Sequence, residues 1–201
     1  MKIAIDLNDV IRDYTGQFIK QYIKFVDEYF EITPEEVTDI DFFNVFPFQN
    51  REEYERFKYV DNPFELYGRS EAMDKMLPYK FLTWLETTMR DFEDEKTPEI
   101  MFVSPLETNL TIQSTMAFLA KLPSRVREIY FPKDSSTVWD RCDVLITANP
   151  LFLNNVPENK IVVKIEMPYN KDIECKYTFK SMLALIEDEN NVFFNLVDDN
   201  G

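Results

Sequence analysis

An apolar run, Ile3-Ala4-Ile5, leads straight into Asp6, and Leu7-Asn8-Asp9-Val10 follows it. The pattern is that of a buried strand ending in a loop, with a carboxylate at its exit. A carboxylate so placed can attack as a nucleophile or bind a metal ion. The rest of the composition narrows the chemistry around it. The 201-residue chain has no histidine, and Cys142 and Cys175 stand far apart with no CxxC partner. Zinc therefore has almost no ligands here, and histidine-based acid–base catalysis is excluded. Any general acid, base or nucleophile must be Asp, Glu, Lys, Tyr, Ser, Thr or Cys. A metal centre would be rich in oxygen ligands, which suits magnesium. With Gly16, Gly68 and Gly201 as the glycines, neither a GxGxxG nor a GxxxxGK[ST] loop can form, so a dinucleotide-binding dehydrogenase and a P-loop kinase fall away.

Charge removes further classes. Lys and Arg total 22 against 37 Asp and Glu, a net charge of -15, which argues against a nucleic-acid or anionic-membrane partner. The N-terminus enters a strand-like run without the apolar helix of a secretion signal, and no stretch is long enough to span a bilayer. A cytoplasmic protein is expected. The apolar fraction of 45% supports one substantial core, with room for a smaller appended one.

The elements that must position Asp6 can be read from periodicity. Tyr14, Phe18, Ile19, Tyr22, Ile23, Val26, Tyr29 and Phe30 fall at helical spacing. Thr33-Pro34-Glu35-Glu36 reads as a fresh helix start with a capping box. Arg51 to Tyr59 and Leu77 to Phe92 read as further helices, and the aromatic stretch Phe42 to Phe48 is poorly periodic. After Pro98 the texture changes. Ile100 to Val103, Val126 to Phe131, Val144 to Ile146 and Ile161 to Ile165 are short apolar runs typical of buried parallel strands, with Thr111 to Leu122 and Thr178 to Glu187 at helical spacing. The expectation is an α/β protein with a doubly wound, mainly parallel sheet built from right-handed βαβ units. Residues 1–12 and 96–201 form the core, and 13–95 a helical cap.

Asp6-Leu7-Asn8-Asp9-Val10 resembles the DxDx[TV] strand end of the haloacid dehalogenase-like superfamily, whose first Asp attacks phosphorus and whose second Asp moves a proton. The resemblance implies Asp6 as the catalytic nucleophile, and a magnesium ion held by Asp6 and the backbone carbonyl of Asn8, which also borders the phosphate. Ile100 to Ser104 is similar to the family strand that ends in a phosphate-binding hydroxyl, here Ser104. Lys133 is best placed as the lysine that balances phosphate charge, with Arg141 as the alternative. Asp143-Val144-Leu145-Ile146 resembles the last motif, but Thr147 and Ala148 stand where the family has acids. Val162 to Lys171, with its Pro168-Tyr169-Asn170 turn, resembles the 5'(3')-deoxyribonucleotidase branch, in which a helical cap sits between the first two motifs and cap aromatics stack on a base.

The departures have a calculable cost. Asn8 cannot donate a proton near neutral pH, and a positioned general acid contributes about 10²–10⁴-fold. Thr147 and Ala148 remove carboxylates from the magnesium shell. Asp9 either turns a carboxylate into the cavity or caps the next helix. Asp143 precedes its strand, at the opposite sheet end. Asn149 and Asn170 line the cavity or simply make turns. Phe42 to Phe48 stack on a planar ligand or bury one another. The cysteines read as packing residues, and Asp91 to Glu95 and Asp198-Asp199 as solvated acidic segments. Two functions follow. One is a phosphatase-like protein of incomplete catalytic set that binds a phosphorylated small molecule, nucleotide or protein partner. The other is an atypical magnesium-dependent phosphomonoesterase.

Overall fold

The computed structural model describes residues 1–26, 30–90, 98–105, 108–124 and 126–188, and in it the apolar runs pair as one sheet. The strands are β1 (Lys2–Asp6), β2 (Glu99–Val103), β3 (Glu128–Tyr130), β4 (Val144–Thr147), β5 (Ile161–Ile165) and β6 (Tyr177–Phe179). They lie in the order β3-β2-β1-β4-β5-β6, and every pairing is parallel. The helices are α1 (Tyr14–Val26), α2 (Arg51–Arg56), α3 (Leu77–Arg90), α4 (Asn109–Leu119), α5 (Pro150–Leu153) and α6 (Met182–Ile186). The protein is thus an α/β protein with an all-parallel sheet.

Alternate residues of each strand face opposite sides, as the two-residue period of a pleated strand requires. Ile3, Ile5, Ile100, Phe102, Val144, Ile146, Val163 and Ile165 pack in one cluster with Leu77, Phe81, Trp84 and Leu85 of α3, Phe118 of α4 and Met182 and Leu185 of α6. Ala4, Met101, Val103 and Leu145 face the other way, against Val138, Trp139, Cys142 and Phe152. Apolar cover on both faces is why the central strands read as unbroken hydrophobic runs. Cys142 sits in that second cluster and Cys175 is half-buried, with burial pushing the Cys142 thiol up to about 12. Among the described residues no helix is long and apolar enough to cross a membrane.

The segment between β1 and α3 has its own core, made almost wholly of rings. Phe18, fully buried, lies 4.8 Å from Phe42, 4.9 Å from Phe46 and 5.3 Å from Phe57, centroid to centroid. The chain winds around this cluster in short pieces: 3₁₀ turns at Pro34–Glu36 and Phe42–Asn44, and π-helical turns at Phe57–Asp61 and Phe64–Gly68. Crowded aromatic packing sets their geometry more than helical propensity does, because the ring contacts outweigh a few backbone bonds. The Thr33 capping box is present, with Thr33 N donating to Glu36 at 2.8 Å, yet it opens only one turn. Of the span expected as a cap, α3 shares the sheet's apolar cluster rather than the aromatic one.

The helix expected from Thr178 to Glu187 divides in two. Tyr177–Phe179 pairs with β5 as β6, and α6 starts at Met182 behind a Ser181 cap that accepts from Ala184 N at 3.1 Å. Tyr, Thr and Phe suit a strand, and the open edge of β5 offers them partners that local periodicity does not reveal. Tyr29, Phe92, the acidic run Asp91 to Glu95 and the pair Asp198-Asp199 lie outside the described residues.

The strand order matters for function. From β1 the chain moves outward through β2 and β3, then returns to the other side of β1 for β4, β5 and β6. The connections diverge at β1 and β4, leaving a crevice beyond their C-terminal ends where open α/β sheets bind ligands. As a test of the aromatic core, Phe18→Ala should cost about 3–5 kcal/mol in urea unfolding. Phe25→Ala, whose parent ring is 43% exposed, should cost much less.

Candidate functional site

Parallel register builds the centre of the site. Ile5 pairs with Ile146 across the β1–β4 boundary, so the next residues, Asp6 and Thr147, emerge side by side on the same face. Thr147 Oγ1 donates to Asp6 Oδ2 at 2.8 Å and accepts from Asn149 N at 3.0 Å. Asp6 Oδ1 is buried and has no hydrogen-bond partner among the described residues. Burial pushes the Asp6 carboxyl up to about 7, against the Thr147 hydroxyl and the Asn8 backbone amide, which favour the charged form. Nearby Asp9 raises it further and Arg12 lowers it.

The loop leaving β1 is held by Leu7 N to Val103 O at 3.0 Å, Arg12 N to Leu7 O at 2.8 Å and Asp9 N to Arg12 O at 2.8 Å. Asp9 takes φ 56°, a left-handed conformation that Asp tolerates better than most residues. Its carboxylate accepts from Thr15 N and Thr15 Oγ1, each at 2.8 Å, and from the Tyr169 hydroxyl at 3.0 Å. Both readings of Asp9 meet here: it anchors the first turn of α1, and it also borders the cavity. Burial pushes its carboxyl up to about 6, opposed by the bonds from Thr15 and Tyr169.

Asn8 is pinned by Arg12, a residue that the sequence patterns did not single out. Arg12 is fully buried, and its Nε and Nη2 donate to Asn8 Oδ1 at 2.9 and 2.5 Å. Nη1 donates to Tyr67 O at 3.0 Å and Thr115 Oγ1 at 2.7 Å, while Nη2 lies 3.4 Å from Ser104 Oγ. The guanidinium thereby ties the β1 loop to α4 and to the second π turn. The available signal was an arginine directly after the apolar pair Val10-Ile11, on a stretch otherwise bound for the core.

A cavity of about 330 Å³ opens above Asp6, Asn8 and Asp9. Asn149, Tyr169 and Pro105 complete its lower rim, and Tyr14, Phe42, Arg51, Tyr54, Lys58, Tyr59 and Tyr67 from the segment between β1 and α3 form its walls and roof. Of the residues expected at a phosphate, Asn8 borders the cavity. Ser104 sits at the end of β2, as expected, but one residue past Val103 the alternation carries its side chain to the α4 face, beside Arg12. Lys133 is exposed in the segment after β3 and does not line the cavity. Arg141 is also elsewhere, stacked 4.4 Å from the Tyr130 ring. Asn149 caps α5 by accepting from Leu151 N at 2.9 Å. Asn170 is buried and donates to Ala148 O at 2.7 Å and Ile165 O at 2.9 Å, locking the turns after β4 and β5 together. Asp143 is exposed at the other sheet end, bonded to Lys2 N at 2.8 Å and Lys160 at 3.0 Å. Phe42, Phe46 and Phe48 are buried in the aromatic cluster, and Phe42 also touches the cavity.

No protein-family model matches this chain, and no curated protein matches it. The donor set must therefore speak for itself. Asp6 Oδ1 is an unengaged carboxylate oxygen, whereas Asp9 is occupied by Thr15 and Tyr169, and the Thr147 hydroxyl by Asp6 and Asn149. Among the described residues no group of three or more His, Cys, Asp or Glu is placed to hold a metal ion. Magnesium is usually anchored by one or two carboxylates together with substrate phosphates and waters, and on the cavity's floor Asp6 is the carboxylate with an oxygen not already hydrogen-bonded among the described residues.

A buried carboxyl with a raised pKa makes stability depend on pH. From the ordinary value of 3.8 up to about 7 the folded chain keeps a proton on Asp6 that the unfolded chain has released. Stability therefore falls as pH rises through this window and levels off above it. Asp6→Asn should raise Tm at pH 8, by an amount worth on the order of a few kcal/mol, and change it little at pH 4. The smaller slope due to Asp9 should remain. Thermal scans of both proteins across pH 4–8 check this.

Proposed function

We propose that this chain is a haloacid dehalogenase-like protein, related to the 5'(3')-deoxyribonucleotidase branch, that has lost its hydrolytic set and acts by binding a phosphorylated small molecule or nucleotide. The segment between β1 and α3 serves as its cap, and the cavity beneath holds the ligand. The observation that carries this reading is the neutral dress of Asp6: Thr147 donates to one oxygen, and the acid position two residues on is an amide clamped by Arg12. Asn8 has no proton to give, and its carbonyl oxygen is turned to the guanidinium.

Hydrolysis needs a charged nucleophile, a proton donor and neutralisation of phosphoryl charge. Asp6 loses part of the first, because its carboxyl rises to about 7. Asn8 does not supply the second, and Ser104 and Lys133, the residues implied for the third, do not line the cavity. A magnesium ion would be weakly held by Asp6 and the Asn8 carbonyl. One observation favours the second reading, an atypical phosphomonoesterase: the unpartnered Oδ1 of Asp6 is free to attack if a substrate brings its own charge compensation.

The two readings separate in an assay with p-nitrophenyl phosphate and deoxynucleoside monophosphates, with and without magnesium. Binding without turnover by the wild type is expected, with turnover gained by Asn8→Asp combined with Thr147→Asp. Wild-type turnover that disappears in Asp6→Asn would end the binding-only reading.

A further inference from the structure

Charged side chains line the cavity from both sides. The floor carries Asp6, with an oxygen that has no hydrogen-bond partner among the described residues, and Asp9. The roof carries the cavity's cations, Lys58 and Arg51, together with the carboxylates of Asp41 and the exposed Glu55. Arg51 is committed, because its Nη1 and Nη2 donate to the Asp41 carboxylate at 2.7 and 2.6 Å. Lys58 is not: among the described residues no carboxylate lies within ion-pair reach of it. Its Nζ instead faces rings, 4.7 Å from the Tyr59 centroid, 5.7 Å from Tyr54 and 6.0 Å from Tyr14. Burial works against its charge, and the surrounding Tyr67, Tyr54 and Tyr59 work in its favour.

The backbone is specialised at the same place. Lys58 and Tyr59 lie in the π turn Phe57–Asp61, and Tyr67 lies in the second, Phe64–Gly68. Such turns are rare and concentrate at functional sites. Here they turn an ammonium and its surrounding phenols toward a cavity whose floor is acidic.

We propose that Lys58 and its ring of tyrosines form the anion-binding end of the cavity, so that a ligand's phosphoryl group sits against the roof and its uncharged end faces Asp6. This rests on the reading of the ligand as phosphorylated, and it reverses the orientation that attack by Asp6 requires. An ammonium set among aromatic faces, with no carboxylate in ion-pair contact, recovers only part of its lost hydration through cation–π contact. A phosphoryl group completes it with charge-assisted hydrogen bonds, and the phenolic hydroxyls can add donors. At the floor the same dianion would meet Asp6 and Asp9, with Ser104 turned to Arg12 and Lys133 outside the cavity, whereas of the two roof carboxylates Asp41 is bonded to Arg51 and Glu55 is exposed to water. The ligand class is a phosphate monoester with a planar apolar group, such as a nucleoside monophosphate or an aryl phosphate, able to lie against Tyr14 and Phe42.

Phenylphosphonate, which is planar, dianionic and resistant to hydrolysis, is a suitable probe for calorimetric titration of the full chain. Lys58→Met should raise Kd at least tenfold and Lys58→Arg only a few-fold, while Lys133→Met changes nothing and Asp6→Asn leaves Kd equal or lower. If Lys58→Met does not fold, the 13Cε resonance of Lys58 in lysine-labelled wild type should shift on titration. Binding that is unchanged in Lys58→Met, or a 13Cε signal that does not move, overturns the proposal while leaving the ligand-binding reading intact. Absence of any wild-type binding, or Asp6-dependent hydrolysis of p-nitrophenyl phosphate, overturns both, since in the second case phosphorus must reach the floor.

Discussion

A single buried carboxylate governs the organisation of this protein. Asp6 is delivered by the first strand to the point where the sheet's connections diverge, and it is taken out of water with one oxygen bonded to Thr147 and the other without a hydrogen-bond partner among the described residues. Burying a carboxylate is unfavourable unless it is paired, and the group responds by holding its proton. The raised pKa of about 7 is thus a consequence of burial, only partly offset by the Thr147 hydroxyl, the Asn8 amide and Arg12. A site built this way is poised near neutrality rather than committed to the ionised form.

Around that carboxylate, Arg12 acts as the strut. It clamps Asn8, reaches the backbone of Tyr67 and the hydroxyl of Thr115, and so joins the loop after β1, the second π turn and α4. A fully buried guanidinium is tolerable only when its donors are satisfied, and the carbonyl and hydroxyl oxygens here meet that demand. The consequence is that the Asn8 side-chain oxygen, two positions beyond Asp6, is fixed by structure. Asp9 is similarly drawn into scaffolding by Thr15 and Tyr169. The polar residues nearest Asp6 therefore mostly serve to hold the loop in place, while Lys58, in a segment folded around aromatic rings, lines the same cavity with no carboxylate in ion-pair contact among the described residues.

Much of the sheet was legible in the sequence because buried strands leave a simple trace. Ile3-Ala4-Ile5, Ile100 to Val103, Val144 to Ile146 and Ile161 to Ile165 are apolar on both faces, and both faces are covered. β6 was not legible, since three residues at an edge gain their strand character from β5 alone. The π turns at Phe57–Asp61 and Phe64–Gly68 were equally hidden, because aromatic packing rather than local preference shapes them. At the site, Asp6 and Asn8 border the cavity, whereas Ser104 turns away. Strand alternation continues past Val103 and decides the direction of that hydroxyl, a matter of one residue that a motif match does not resolve.

The sequence by itself determined the ingredients: an acid at a strand exit, no histidine, an amide at Asn8 and a hydroxyl at Thr147, and a long aromatic segment between the first two strands. These are fixed by residue type, which no folding event can change. Only the tertiary structure decided which of them meet. It set Asp6 against Thr147 through parallel register, sank Arg12 beneath Asn8, and carried Lys58 over the cavity while Lys133 remained outside. Contacts between residues separated by fifty or a hundred positions depend on strand order and core packing, and neither is encoded in any local stretch of the chain.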